Sequence, residues 1–153
     1  MRIFIGADHR GFELKEKLKQ WMSENSISFQ DVGAHELDPS DDYPVFAQKV
    51  AESVSSDIET GKDTRGIVIC GSGVGVDIVA NKFRGIRCGL GMNIEQVKSA
   101  RADDDINVLA LASDETDEQN ARVMVKTFLE TAFDPSKRHT RRLKEIEEID
   151  KES

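Results

Sequence analysis

The stretch Arg65 to Lys82 gathers the residues best suited to chemistry: a thiol, a hydroxyl and a run of glycines. Cys70 closes the apolar run Gly66-Ile67-Val68-Ile69 and is followed by Gly71, Ser72, Gly73, Val74 and Gly75. A β-branched run bounded by charge and glycine predicts a strand buried on both faces. From Val76 the apolar residues Val76, Ile78, Val79 and Phe83 return at helical spacing, so a helix is expected to open there. A thiol at a strand tip against a helix N-terminus sits where partial positive charge suits a thiolate. The bare backbone amides of the glycine loop can cradle an anion. Close packing of helix on strand would also explain the glycines. Their alternation beside a cysteine favours the anion site.

Gly71 to Gly75 is not a dinucleotide fingerprint, because Val76 replaces the third glycine and the loop does not follow the first strand. Gly6 to Gly11 is not a phosphate-binding P-loop, since no Gly-Lys-Ser/Thr follows. Asp8 and His9 follow the first predicted strand and would, alone, read as a turn and helix cap. Arg138 and Arg142 stand four apart and share one helix face, by default a solvated basic one beside Arg141 and Lys144. His139 reads equally well as a surface residue. Cys88 lacks the setting of Cys70 and is expected in the core.

The elements that must position these groups follow from periodicity. Strands are predicted at 2–7, 27–32, 66–69, 85–90 and 106–112, and helices at about 12–22, 44–60, 76–83, 94–102, 117–131 and from 136 onward. The alternation predicts one α/β domain over 1–153, a Rossmann-like three-layer sandwich of a five-stranded parallel sheet between helices, with a C-terminal helix. Ligands of such sheets bind at the carboxyl ends of the strands. That rule is expected to gather Asp8, His9, Cys70 and the Ala102 to Asp105 turn on one rim. Periodicity does not specify the strand order.

A net charge of -8 argues against a nucleic-acid partner, though not against a small anion. No apolar run approaches a membrane span, and the polar N-terminus does not resemble a signal peptide. Two cysteines without a CxxC or zinc-ligand spacing point to reduced thiols and the cytoplasm.

Seven motifs, taken together, resemble the type B ribose-5-phosphate isomerases and the related galactose-6-phosphate isomerase subunits. They are Gly6 to Phe12, Asp42-Tyr43-Pro44, Ile69 to Gly75, Ala80-Asn81-Lys82, Gly85-Ile86-Arg87, Asn107 to Ala110 and Arg138-His139. The resemblance implies aldose–ketose isomerisation of a phosphorylated sugar through an enediolate, with no metal and no cofactor. It implies Cys70 as the C1/C2 base, assisted by Ser72, with the backbone of Gly71, Gly73, Val74 and Gly75 holding the oxyanion. Asp8 would handle hydroxyl protons and Tyr43 would line the sugar site. His9, Arg138 and Arg142 would grip the phosphate, the arginines coming from the neighbouring subunit of a homodimer or a dimer of dimers. Three residues depart from the family pattern. Asp103 stands in the place of the ring-opening histidine, Asp104 in that of an asparagine, and Asp114 in that of an arginine near the phosphate. An aspartate is ionised at neutral pH, where a histidine can both give and take a proton. Asp114 is expected to repel a phosphate.

Overall fold

The computed structural model describes residues 1–152. In chain order the elements are β1 (Arg2–Ala7), α1 (Phe12–Glu24), β2 (Gln30–Asp31), α2 (Tyr43–Glu59), β3 (Thr64–Cys70), α3 (Val74–Ala80), β4 (Cys88–Leu90), α4 (Ile94–Asp104), β5 (Val108–Ala112), α5 (Glu118–Glu130) and α6 (Lys137–Glu152). Every strand pair is parallel, as the alternation of elements predicts, and the structure supplies the order, β2-β1-β3-β5-β4. β3 is central, flanked by β1 and β5.

Side chains of a strand alternate between faces, and the core divides accordingly. Ile3, Ile5, Ile67, Ile69, Leu109 and Leu111 bury against α1, α4 and α5 through Leu14, Leu18, Val97, Met124 and Phe128. Phe4, Val68, Cys70, Val108 and Ala110 face the other way, onto Val50 and Val54 of α2 and Val76 and Ala80 of α3. Cys70 therefore ends its strand on the α2–α3 side. Lys15 is fully buried, its Nζ donating to Asp31 Oδ2 and Ala34 O, each at 2.6 Å, which ties α1 to the segment after β2.

Several boundaries differ from expectation. β2 shrinks to Gln30–Asp31, because it is an edge strand paired only with β1, while Ile27 and Phe29 pack on the core instead of the ladder. β4 begins at Cys88 rather than Gly85. Gly85 is at φ 74 in a turn, and Asn107 Oδ1 accepts from Arg87 N at 2.8 Å before the ladder starts. α3 opens at Val74, two residues early, since Gly73 turns the chain at φ 73.

The Ala102 to Asp105 turn is not on the rim of Cys70. α4 runs antiparallel to the strands, so its end lies at the amino edge of the sheet, just before β5. β3 is 7 residues long and rises about 3.3 Å per residue, which sets the two edges roughly 20 Å apart. α6 lies along the amino edge: Asp134 N donates to Ala102 O at 2.8 Å near its start, and Gly85 N donates to Asp150 Oδ2 at 2.6 Å near its end.

Candidate active site

At the carboxyl rim the turns after β1 and β3 and the start of α2 enclose a cleft of about 440 Å³. Asp8, His9, Arg10, Asp41, Asp42, Tyr43, Cys70, Gly71, Ser72, Val74, Gly75 and Ile78 line it. The volume lies in the usual range for small-molecule sites. Cys70 is 4% exposed at the floor, while Ser72 is exposed. Tyr43 is held at the first turn of α2 by Pro44. Its ring lies on Gly75, where a Cβ would come within 2.7 Å of Cε2 and Cζ. A side chain at Gly73 would strike Leu90 and approach Ala112 N at 3.1 Å, besides resisting the positive φ. Both glycines thus keep the amides after Cys70 close to the cleft.

Asp8 is buried and closes the turn that leads into α1: its Oδ1 accepts from Arg10 N and Gly11 N, each at 3.0 Å. His9 is held twice by one oxygen, since Asp41 Oδ1 lies 2.8 Å from both its backbone N and its Nδ1. That hydrogen bond, with the charges of Asp8 and Asp41, raises the His9 pKa above 6.5 against partial desolvation. Asp8, His9 and Asp41 bring ligand atoms within 4.8 Å of one another, as a metal site would. With Asp8 Oδ1 on two amides and His9 Nδ1 on Asp41, however, the group is already an internally bonded unit. Cys88 is half-buried, and burial together with Asp77 pushes its thiol far up, so it stays protonated.

The amino edge carries a second cluster. His139 is not a surface residue: it is 2% exposed, with Nε2 3.5 Å from Asp103 Oδ1. Arg138 Nε donates to that Nε2 at 3.0 Å, which leaves Nδ1–H to donate to the Asp134 carbonyl at 3.1 Å. Arg142 follows one turn later on the exposed face of α6, and Asp104 is exposed at the end of α4. Asp105 is spent structurally, bound by Arg101 at 2.7 Å and Arg87 at 2.9 Å. Within one chain the structure brings together Asp8, His9, Tyr43 and Cys70 to Gly75, and it holds Asp103, Asp104, Arg138 and Arg142 away from them.

The ribose/galactose isomerase family matches residues 3–146. This chain belongs to that family. It is 32% identical over 151 residues to ribose-5-phosphate isomerase B of Mycolicibacterium paratuberculosis, covering 99% of this chain and 92% of that protein. Among solved structures, ribose-5-phosphate isomerase B of Mycoplasma genitalium with bound ribulose-5-phosphate superposes with a TM-score of 0.92 at 36% identity, covering 99% of this chain and 97% of that one. The Clostridium thermocellum ribose-5-phosphate isomerase B gives 0.90 at 38% identity, covering 99% of each chain. The family resemblance, the α/β fold and the isomerase class drawn from the motifs are thus established.

Against that family the structure adds residues that sequence reasoning passed over. Arg10 and Asp41 line the rim cleft, and the one signal for Arg10 was its place directly after Asp8 and His9 at a strand tip. Asp114 does not stand bare as a repelling charge. It forms an ion pair with Arg10.

Proposed function

We propose that this chain is a ribose-5-phosphate isomerase, interconverting ribose 5-phosphate and ribulose 5-phosphate. Cys70 on the floor of the rim cleft, between Asp8 and the 71–75 amides, carries the reading. In its thiolate form Cys70 takes the proton from C2 of the open-chain aldose. The electron pair moves onto the carbonyl oxygen at C1, and the resulting enediolate is held by the backbone amides of the glycine loop. The same proton returns at C1. Asp8, with Oδ1 occupied by two amides, uses its other oxygen to move the hydroxyl proton between O2 and O1, assisted by Ser72. Tyr43 borders the sugar, and His9 binds the phosphate.

The remaining groups come from a neighbouring copy. Asp103, Asp104, Arg138 and Arg142 lie at the far edge of their own sheet, so a homodimer, or a dimer of dimers, with the site at its interface would assemble the set. Exposed Val74, Ile78 and Tyr43, at 46%, 55% and 39%, border the cleft and suit such an interface. The two free cysteines fit a reducing cytoplasm, and no described helix is long and apolar enough to cross a membrane.

Asp103 favours a second reading, isomerisation of another sugar phosphate such as galactose 6-phosphate, or a shared or purely binding role. Purified protein assayed against five- and six-carbon aldose phosphates separates these. Turnover is expected on ribose 5-phosphate, and Asp103→His is expected to raise it, because ring opening needs a group that both gives and takes a proton. Preference for a six-carbon substrate would support the second reading, and no turnover at all would reduce the chain to a binding protein.

The His9–Asp41 pair has a pH signature. A histidine whose folded-state pKa is raised keeps its charge, and its grip on phosphate, fully below about pH 6.5 and loses both as the pH rises through the raised value. KM for the sugar phosphate is therefore expected to climb on the alkaline side. In Asp41→Asn the climb should begin at lower pH. The substrate's own phosphate titration is common to both proteins, so the difference reports His9. Superimposable KM profiles would place the pH dependence elsewhere.

A further inference from the structure

Arg10 has no role in the chemistry above, and its surroundings give it one. It stands in the turn after β1, and its partner Asp114 stands in the turn after β5, the two strands that flank β3. Their ion pair carries the guanidinium across the carboxyl end of the central strand. The side chain rests over Gly71, where a Cβ would lie 2.5 Å from Nε and 2.6 Å from Nη1. Gly71 is thus small because Arg10 occupies the space above it. The turns beneath are stitched together: Ser113 Oγ reaches the carbonyls of Arg10 at 2.9 Å and Cys70 at 3.1 Å, and Asp114 N donates to Gly71 O at 3.0 Å.

Stability does not account for the arrangement. The two side chains are 55% and 42% exposed, and exposed ion pairs contribute little. Charge in the cleft does. Asp8, Asp41 and Asp42 line it with His9 and Arg10 as the positive groups among the described residues. Asp114 engages Nη2, and a guanidinium has further N–H donors set in a rigid fork that matches phosphate oxygens.

We infer that Arg10 is a substrate-binding residue, a cation held over the cleft for the phosphate of the substrate, and that Asp114 positions it. The inference rests on the sugar-phosphate reading of this site. The test uses the whole assembled protein and inorganic phosphate, measured by calorimetry, alongside steady-state kinetics. Arg10→Gln is expected to weaken phosphate binding by about 10- to 100-fold and to raise KM for ribose 5-phosphate by a similar factor, with kcat little changed. Arg10→Lys should recover only part of the loss, since a point charge lacks the fork. Asp114→Asn should weaken phosphate binding less than Arg10→Gln does, with the thermal midpoint held. Affinity for unphosphorylated ribose should not move in any variant. Unchanged phosphate affinity in Arg10→Gln, or an equal loss for ribose, would overturn the assignment. Calorimetry does not depend on turnover, so a failed isomerase assay with Arg10-dependent phosphate binding would sink the proposed reaction and leave this inference standing.

Discussion

Cys70→Ala is expected to lower kcat by about 10²–10⁴-fold, the range for removal of a general base, while KM changes little. Cys70 is the side chain that β3 delivers to the floor of the cleft, and the substitution deletes only a sulfur at the edge of the α2–α3 core. The protein should remain folded, as unchanged far-UV dichroism and thermal midpoint would show. Cys88→Ala is the internal comparison. Burial and Asp77 hold that thiol protonated, so its loss should leave the rate near wild type. Wild-type turnover by Cys70→Ala would put the base on another residue.

An equal mixture of Cys70→Ala and Arg142→Ala proteins, each nearly inactive alone, is expected to regain activity after subunit exchange. α6 is tied to the amino edge at both ends, by Asp134 to Ala102 and by Gly85 to Asp150. Arg142 therefore stands across the sheet from the Cys70 of its own chain. In a hybrid dimer one of the two sites loses both groups and the other keeps both. Random exchange makes half the dimers hybrid, so about a quarter of the wild-type sites should be intact. Mass spectrometry of intact dimers would confirm exchange. Hybrid dimers without recovered activity would show that Arg142 serves the Cys70 of its own chain.

The features legible in the sequence are those set by neighbours along the chain. Gly66 to Gly75 reads as strand, thiol and glycine turn because alternation of faces, β-branching and the backbone freedom of glycine are local properties. Helical spacing in α1, α2 and α5 is local in the same way, and it carried the α/β class and the candidate cleft from Asp8 to Gly75. The strand order depends on which hydrophobic faces meet, and periodicity is blind to that. It put β3 between β1 and β5 and so allowed Arg10 and Asp114, 104 residues apart in sequence, to pair above Gly71. Burial of His139 likewise required the end of α4 and the start of α6 to meet. The Asp103 turn was misplaced for a simpler reason: in a parallel sheet each helix returns the chain to the amino edge, so a turn that follows a helix cannot share the rim of one that follows a strand. Residue types and local spacing determined which groups this protein has for chemistry. Only the packing of distant segments decided which of them share a cleft and which stand at the opposite edge of the sheet.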